Sequence, residues 1–299
     1  MTGVATRDGS ADPTATWVAA SATRVAASAT PLAEAFARSR AEGRAALIGY
    51  LPAGFPTRDA SVELIEVMVD GGVDVVEVGL PYSDPLMDGP VIQAAADLAL
   101  RGGTTPADTL EIAGAAAATG AAALVMSYWN PIERFGVKAF AERLAAVGGS
   151  GVITPDLTPE EAGAWEAATR EHGLDRVFLV APSSTDERLT VVASACSGFV
   201  YAASTMGVTG ARSAVPPSAR ALVARTRAVT SLPIAVGLGV STGEQAAEIA
   251  GYADGVIVGS AFIRLVLEAP DLPTARERVG DLARELAAGV RRPTGGAFS

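Results

Sequence analysis

Glu77 stands in the run VDVVEVGLPYSDPLMDGP (73–90). Period-2 alternation places Val73, Val75 and Glu77 on one face and Asp74, Val76 and Val78 on the other. Glu77 is therefore expected among aliphatic side chains near the end of a strand. There an unpaired carboxylate costs several kcal/mol or takes up a proton. A carboxyl raised in this way suits acid–base work near neutrality. The competing reading is a structural ion pair, yet Arg176, at the start of its run, is the only arginine in the apolar runs. Asp84 and Asp88 follow among Pro81, Pro85, Gly89 and Pro90. Aspartates in such loops often close turns or cap helices, so Asp88 is a candidate either for chemistry or for capping a helix that begins at Pro90.

Other residue counts narrow the chemistry. His172 is the only histidine and sits in TREHGLDR (169–176), which reads as a polar helix end. Lys138, the only lysine, follows RFG (134–136) at the expected start of a helix, a poor place for a Schiff base. The single cysteine, Cys196, rules out an internal disulfide, and no metal-spaced Cys/His cluster exists. Carboxylates and tyrosines remain. Three small-residue loops, MGVTGARS (206–213), VGLGVS (236–241) and VGSAF (258–262), could hold a phosphate on backbone amides without lysine. Tyr50, Tyr128 and Tyr201 each fall at or near a strand end. Each alone could be packing; together they could wall a pocket for a flat ring.

These residues need a scaffold. From residue 44 onward, β-branched apolar runs alternate with Ala-rich amphipathic stretches. The runs are 45–50, 73–78, 122–128, 151–154, 176–181, 198–203, 233–237 and 254–259. Most are apolar throughout, as parallel strands buried on both faces require. Helical segments such as 58–72, 159–173 and 242–252 lie between them. Eight such units predict an α/β fold of the (β/α)8 TIM barrel type, with an extra helix starting at Pro31 after a capping Thr30. An open doubly wound sheet is the alternative. The first run, however, leads into YLPAGFPT (50–57), whose prolines lack the amides that a dinucleotide turn needs.

The chain has 299 residues and a formal charge of −10, with 49% hydrophobic and 19% charged residues. An acidic surface repels phosphate backbones and anionic membranes, so no nucleic acid and no membrane is expected as partner. Residues 1–30 read as a flexible extension, 31–292 as one catalytic barrel and 293–299 as a tail. Without a signal-peptide core, and with one cysteine, a cytoplasmic location is expected.

The run EVGLPYSDPLMDGPVIQAA (77–95), with YLPAGFPT (50–57), SYWNP (127–131), PDLTPEE (155–161), YAASTMGVTG (201–210) and VGLGVS (236–241), resembles the tryptophan synthase alpha subunit family. The resemblance covers the chain from about residue 44 to 262. It implies cleavage of indole-3-glycerol phosphate to indole and glyceraldehyde 3-phosphate without a cofactor in this subunit. Glu77 matches the family's acid/base, Asp88 the aspartate that stabilises the indole nitrogen, and Tyr201 a tyrosine beside the glutamate. Tyr50 and Tyr128 match positions lining the pocket, Tyr50 standing where some members carry phenylalanine. Gly210, Gly239, Gly259 and Ser260 match the phosphate-binding positions. Pro81, Asp84 and Asn130 match positions facing a beta subunit that carries pyridoxal phosphate, in an αββα assembly. Segments 81–90 and 204–215 match loops that close over substrate. Phe55 and Thr158 depart from the family pattern, and the N-terminal extension has no counterpart in it. The other readings are a different phosphosugar enzyme of the same fold and a non-catalytic, phosphosugar-binding regulatory subunit.

Overall fold

A computed structural model describes residues 29–203 and 216–291. Among these residues nine parallel strands carry the fold: β1 (Ala46–Pro52), β2 (Val75–Gly79), β3 (Ala122–Met126), β4 (Gly151–Ile153), β5 (Asp175–Val177), β6 (Leu179–Val180), β7 (Val200–Ala203), β8 (Ile234–Gly237) and β9 (Gly255–Val258). Their order is β5-β4-β3-β2-β1-β9-β8-β7-β6, so the two outer strands are consecutive in the chain. The sheet curls into a nearly closed TIM barrel whose seam falls at Phe178.

Eight strands were expected, and the difference lies in the fifth. The run 176–181 splits at Phe178, whose N–H turns to the Cys196 sulfur at 3.4 Å instead of a neighbouring strand. The Phe178 carbonyl still accepts from the Tyr201 N–H at 3.1 Å, which keeps the seam together. The other runs form one strand each. One face assignment also changes: Val73 precedes β2 and packs in the cluster between strands and helices, not inside the barrel.

The barrel interior is a separate apolar cluster. Ala46, Ile48, Val75, Ala122, Leu124, Ile153, Val177, Phe199, Ala235 and Ile257 meet there with Leu32, Ala35 and Phe36. Those last three belong to the helix Pro31–Ala41, which starts where Thr30 accepts from the Ala33 N–H at 3.2 Å. The helix plugs the N-terminal end of the barrel, with the Phe36 and Phe199 rings 5.6 Å apart. The helices named from the sequence appear as Arg58–Asp70, Gly163–Glu171 after a 3-10 turn at Pro159–Glu161, and Gly243–Ala250. Among the described residues no helix is long and apolar enough to cross a membrane.

Candidate active site

Glu77 lies on β2, level with Tyr50 on β1 and Leu124 on β3. It is 1% exposed, and its Oε1 has no hydrogen-bond partner among the described residues. Burial alone pushes its carboxyl up to about 8. The arginine that could have paired with it does not. Arg176 turns to the Ala195 carbonyl at 3.2 Å and the Thr169 hydroxyl at 3.1 Å. Among the described residues the ion-pair reading of Glu77 therefore finds no cation, and a buried, unpaired acid remains.

Two tyrosines share the surroundings of Glu77 because glycines make room for them. A Cβ placed on Gly79 would stand 2.4 Å from the Tyr50 hydroxyl, and one on Gly237 would stand 2.4 Å from the Tyr201 hydroxyl. Gly259 likewise abuts the Tyr50 ring, 3.0 Å from its Cδ1. Any side chain at Gly79 or Gly237 would displace a phenol from the barrel mouth. Both phenols are held far above their ordinary ionisation, first by burial and then by the negative charges of Glu77 and Asp88. They are neutral hydrogen-bond donors throughout the working pH range.

Asp88 approaches the same tyrosines from the loop after β2. The helix Pro90–Arg101 begins with Gly89 in the cap position, so the Asp88 carboxyl is not its cap. That carboxyl is hydrogen-bonded to the Tyr128 hydroxyl, and burial outweighs this bond to raise Asp88 to about 6. Tyr128 also receives the Met87 N–H at 2.9 Å. One buried phenol thus pins two successive residues of the loop. The capping reading of Asp88 is replaced by a carboxylate facing the pocket.

The expected phosphate positions lie on the neighbouring strand ends. Gly239 follows β8 with φ +72°, a left-handed conformation that strongly favours glycine. Gly259 follows β9 in the cap position, and Ser260, 6% exposed, opens the helix Ser260–Leu267. Gly210 and the segment 204–215 lie outside the described residues. Of the expected partner-facing residues, Pro81 is buried, whereas Asp84 is exposed on the loop after β2 and Asn130 is exposed in the first turn of the helix Trp129–Phe135. Asp84 accepts from the Ser83 hydroxyl at 2.6 Å, and Asn130 donates to the Tyr82 hydroxyl at 3.1 Å.

Tyr82 was missed from the sequence. Its ring lies 5.3 Å from that of Tyr128, so it connects Asn130 to the phenol that holds Asp88. An aromatic residue beside Pro81 in a loop rich in proline and aspartate was the available signal. Leu86, 84% exposed on the same loop, presents an apolar side chain to solvent. Phe55 fills the core beneath the first loop at 1% exposure, and Thr158 bonds to Glu161 beside the 3-10 turn. Lys138 is exposed in a first helical turn and His172 ends a helix; neither belongs to the site. Among the described residues no group of three or more His, Cys, Asp or Glu could hold a metal ion.

Comparison with known proteins agrees with this geometry. The family described as tryptophan synthase alpha chain matches residues 36–291. The alpha chain from Thermobifida fusca is 64% identical over 265 residues, 88% of this chain and 98% of that one. The alpha chain from Acidothermus cellulolyticus is 60% identical over 264 residues, with the same coverage. A solved structure of Mycobacterium tuberculosis tryptophan synthase superposes with a TM-score of 0.83 at 56% identity, covering 88% of this chain and 99% of that chain. The subunit alpha structure from Legionella pneumophila gives 0.80 at 31% identity, covering 87% and 98%. With the barrel, the family model and these relatives in accord, the chain belongs to the tryptophan synthase alpha chain family.

Proposed function

We propose that this chain cleaves indole-3-glycerol phosphate to indole and glyceraldehyde 3-phosphate, with Glu77 as the group that moves protons. The carrying observation is the unpartnered Glu77 carboxyl, raised to about 8 and hence protonated at neutral pH. Protonated Glu77 delivers its proton to the indole C3, and positive charge develops at the ring N–H. Asp88, ionised above about 6, faces that charge and stabilises it. Glu77, now a carboxylate, takes the proton from the hydroxyl on the carbon attached to C3. The electrons of that O–H form the aldehyde, the carbon–carbon bond breaks, and its electron pair restores the aromatic ring. Glu77 ends the cycle protonated, as it began.

Tyr50, on the strand beside Glu77, and Tyr201, on β7, wall the pocket, and Tyr128 holds Asp88 in place. Gly239, Gly259 and Ser260, with Gly210, bind the phosphate through backbone amides and the start of the short helix. Pro81, Asp84 and Asn130 meet the beta subunit, to which indole passes within an αββα assembly. Pyridoxal phosphate belongs to that beta subunit and not to this chain. Residues 31–292 form the catalytic unit, with 1–30 and 293–299 as appendages, in the cytoplasm. A purely regulatory subunit would have no use for an unpaired buried carboxyl.

The test is indole release from indole-3-glycerol phosphate by the purified chain, with and without a beta subunit, across pH. Slow release that the partner accelerates is expected. The rate should rise through about 6 as Asp88 ionises and fall through about 8 as Glu77 loses its proton. Tight substrate binding with no release in either condition would overturn the reading in favour of a regulatory subunit.

A further inference from the structure

The loop after β2 docks on one short stretch of chain, residues 128–130, which follows β3. The pairing of β2 with β3 sets the two side by side, and just beyond the strands the Leu80 N–H reaches the Met126 carbonyl at 2.8 Å. From there Tyr82 makes two contacts. Its hydroxyl accepts from the Asn130 Nδ2 at 3.1 Å, and its ring lies 5.3 Å from the Tyr128 ring at a tilt of 36°. Further along the loop, the Tyr128 hydroxyl accepts the Met87 N–H and donates to the Asp88 carboxyl. A phenol O–H lies near the plane of its ring, so the orientation of the Tyr128 ring decides whether that proton points at Asp88. The Tyr82 ring packs against the Tyr128 ring and limits its rotation.

We propose that Tyr82 is a positioning residue for Asp88: held by Asn130, it holds the Tyr128 ring and so keeps the Tyr128 hydroxyl on the Asp88 carboxyl. Its part in cleavage rests on the reading of Asp88 given above. The surroundings of Asp88 make that one bond matter. Glu77 on β2, Tyr50 on β1 and Tyr201 on β7 face the same space, and Asp156, after β4, faces Tyr128. All are acidic or neutral. Among the described residues the Tyr128 hydroxyl is the one group that favours ionised Asp88. Without Tyr82 the phenol turns away, and burial, unopposed, raises the Asp88 carboxyl beyond about 6.

Three variants separate the parts. Tyr82→Leu removes ring and hydroxyl, Tyr82→Phe keeps the ring and loses the Asn130 bond, and Tyr128→Phe removes the donor itself. The midpoint of Asp88 is read in the free chain by NMR of carboxyl-labelled aspartate, its signal assigned with Asp88→Asn. The acid limb of kcat is read from indole release in the complex with the beta subunit. Tyr82→Leu and Tyr128→Phe should each raise midpoint and limb by about one pH unit, the worth of one hydrogen bond to a charged group. Tyr82→Phe should raise them by less. Tyr82→Leu added to Tyr128→Phe should move neither further, because both act on a single bond. An Asp88 midpoint unmoved by Tyr82→Leu would reduce Tyr82 to packing and overturn the proposal, as would a full second shift in the double variant. If the wild-type complex releases no indole, the reading of the reaction fails, while the NMR midpoints still decide what Tyr82 does.

Discussion

The two ends of this barrel treat buried carboxylates in opposite ways. At the N-terminal end, Asp74 takes both guanidinium nitrogens of Arg44, at 2.6 and 2.9 Å, and the Leu47 N–H at 2.8 Å. Asp254 takes Arg227 at 2.7 Å and the Ile234 N–H at 2.9 Å. Asp175 receives the hydroxyls of Thr30 at 2.5 Å and Ser197 at 2.9 Å. At the C-terminal end, among the described residues, Glu77 has no cation and an orphaned oxygen, and Asp88 has a phenol instead of a cation. The N-terminal carboxylates, bonded to arginines or to hydroxyls, tie strand starts together, whereas Glu77 at the other end keeps an orphaned oxygen among the described residues. The fold can tolerate the second because the first is secure.

That contrast can be broken most severely at Glu77. Glu77→Gln should lower the rate of cleavage by roughly a thousandfold while leaving substrate binding intact, measured by indole release and by ligand titration. Near-normal cleavage would remove Glu77 from its role. The same variant tests the cost of the unpaired acid. Glu77 holds its proton more tightly when folded than when unfolded, so its stabilising contribution is complete below about 4.5 and is lost as pH rises through about 8. Across that window the stability difference should move in favour of the variant by up to about 1.4 kcal/mol per pH unit, read from urea midpoints.

At the opposite end, Arg44→Ala strands Asp74 without its cation. A loss of about 3 kcal/mol in stability is expected, with cleavage at low temperature within about twofold of wild type. A variant that lost activity before stability would contradict the division of labour. Asp88→Asn should lower kcat by roughly a hundredfold and abolish the pH limb near 6, with unfolding almost unchanged. The smallest effect belongs to Thr30→Ala, which deletes a helix cap and a bond to Asp175. It should cost about 1 kcal/mol in thermal or urea unfolding and leave kcat untouched.

Much of the scaffold was legible because local pattern carries it. Continuous β-branched runs and glycine-rich turns specify buried parallel strands regardless of what lies across from them. The break at Phe178 was not legible, because it depends on where the Cys196 sulfur sits after a helix has folded back. Glu77 announced itself by being the one acid facing inward in its run. Asp88 was ambiguous between cap and catalyst; the fold gives the cap position to Gly89 and sets the Asp88 carboxyl beside Tyr128, 40 residues later in the chain. Tyr82 escaped notice for a similar reason, since its partners Tyr128 and Asn130 are brought near by the pairing of β2 with β3.

By itself, the sequence determined the alternation of strands and helices, the inward face of β2 and the kinship carried by residues 77–95. These follow from spacing along one stretch of chain. Only the tertiary structure decided that Arg176 turns away from Glu77, and that Gly79, Gly237 and Gly259 leave the space in which Tyr50 and Tyr201 stand. Period tells which way a side chain points, not what meets it there. What meets it comes from strands far apart in sequence, and for a buried acid those neighbours decide between an ion pair and a proton carrier.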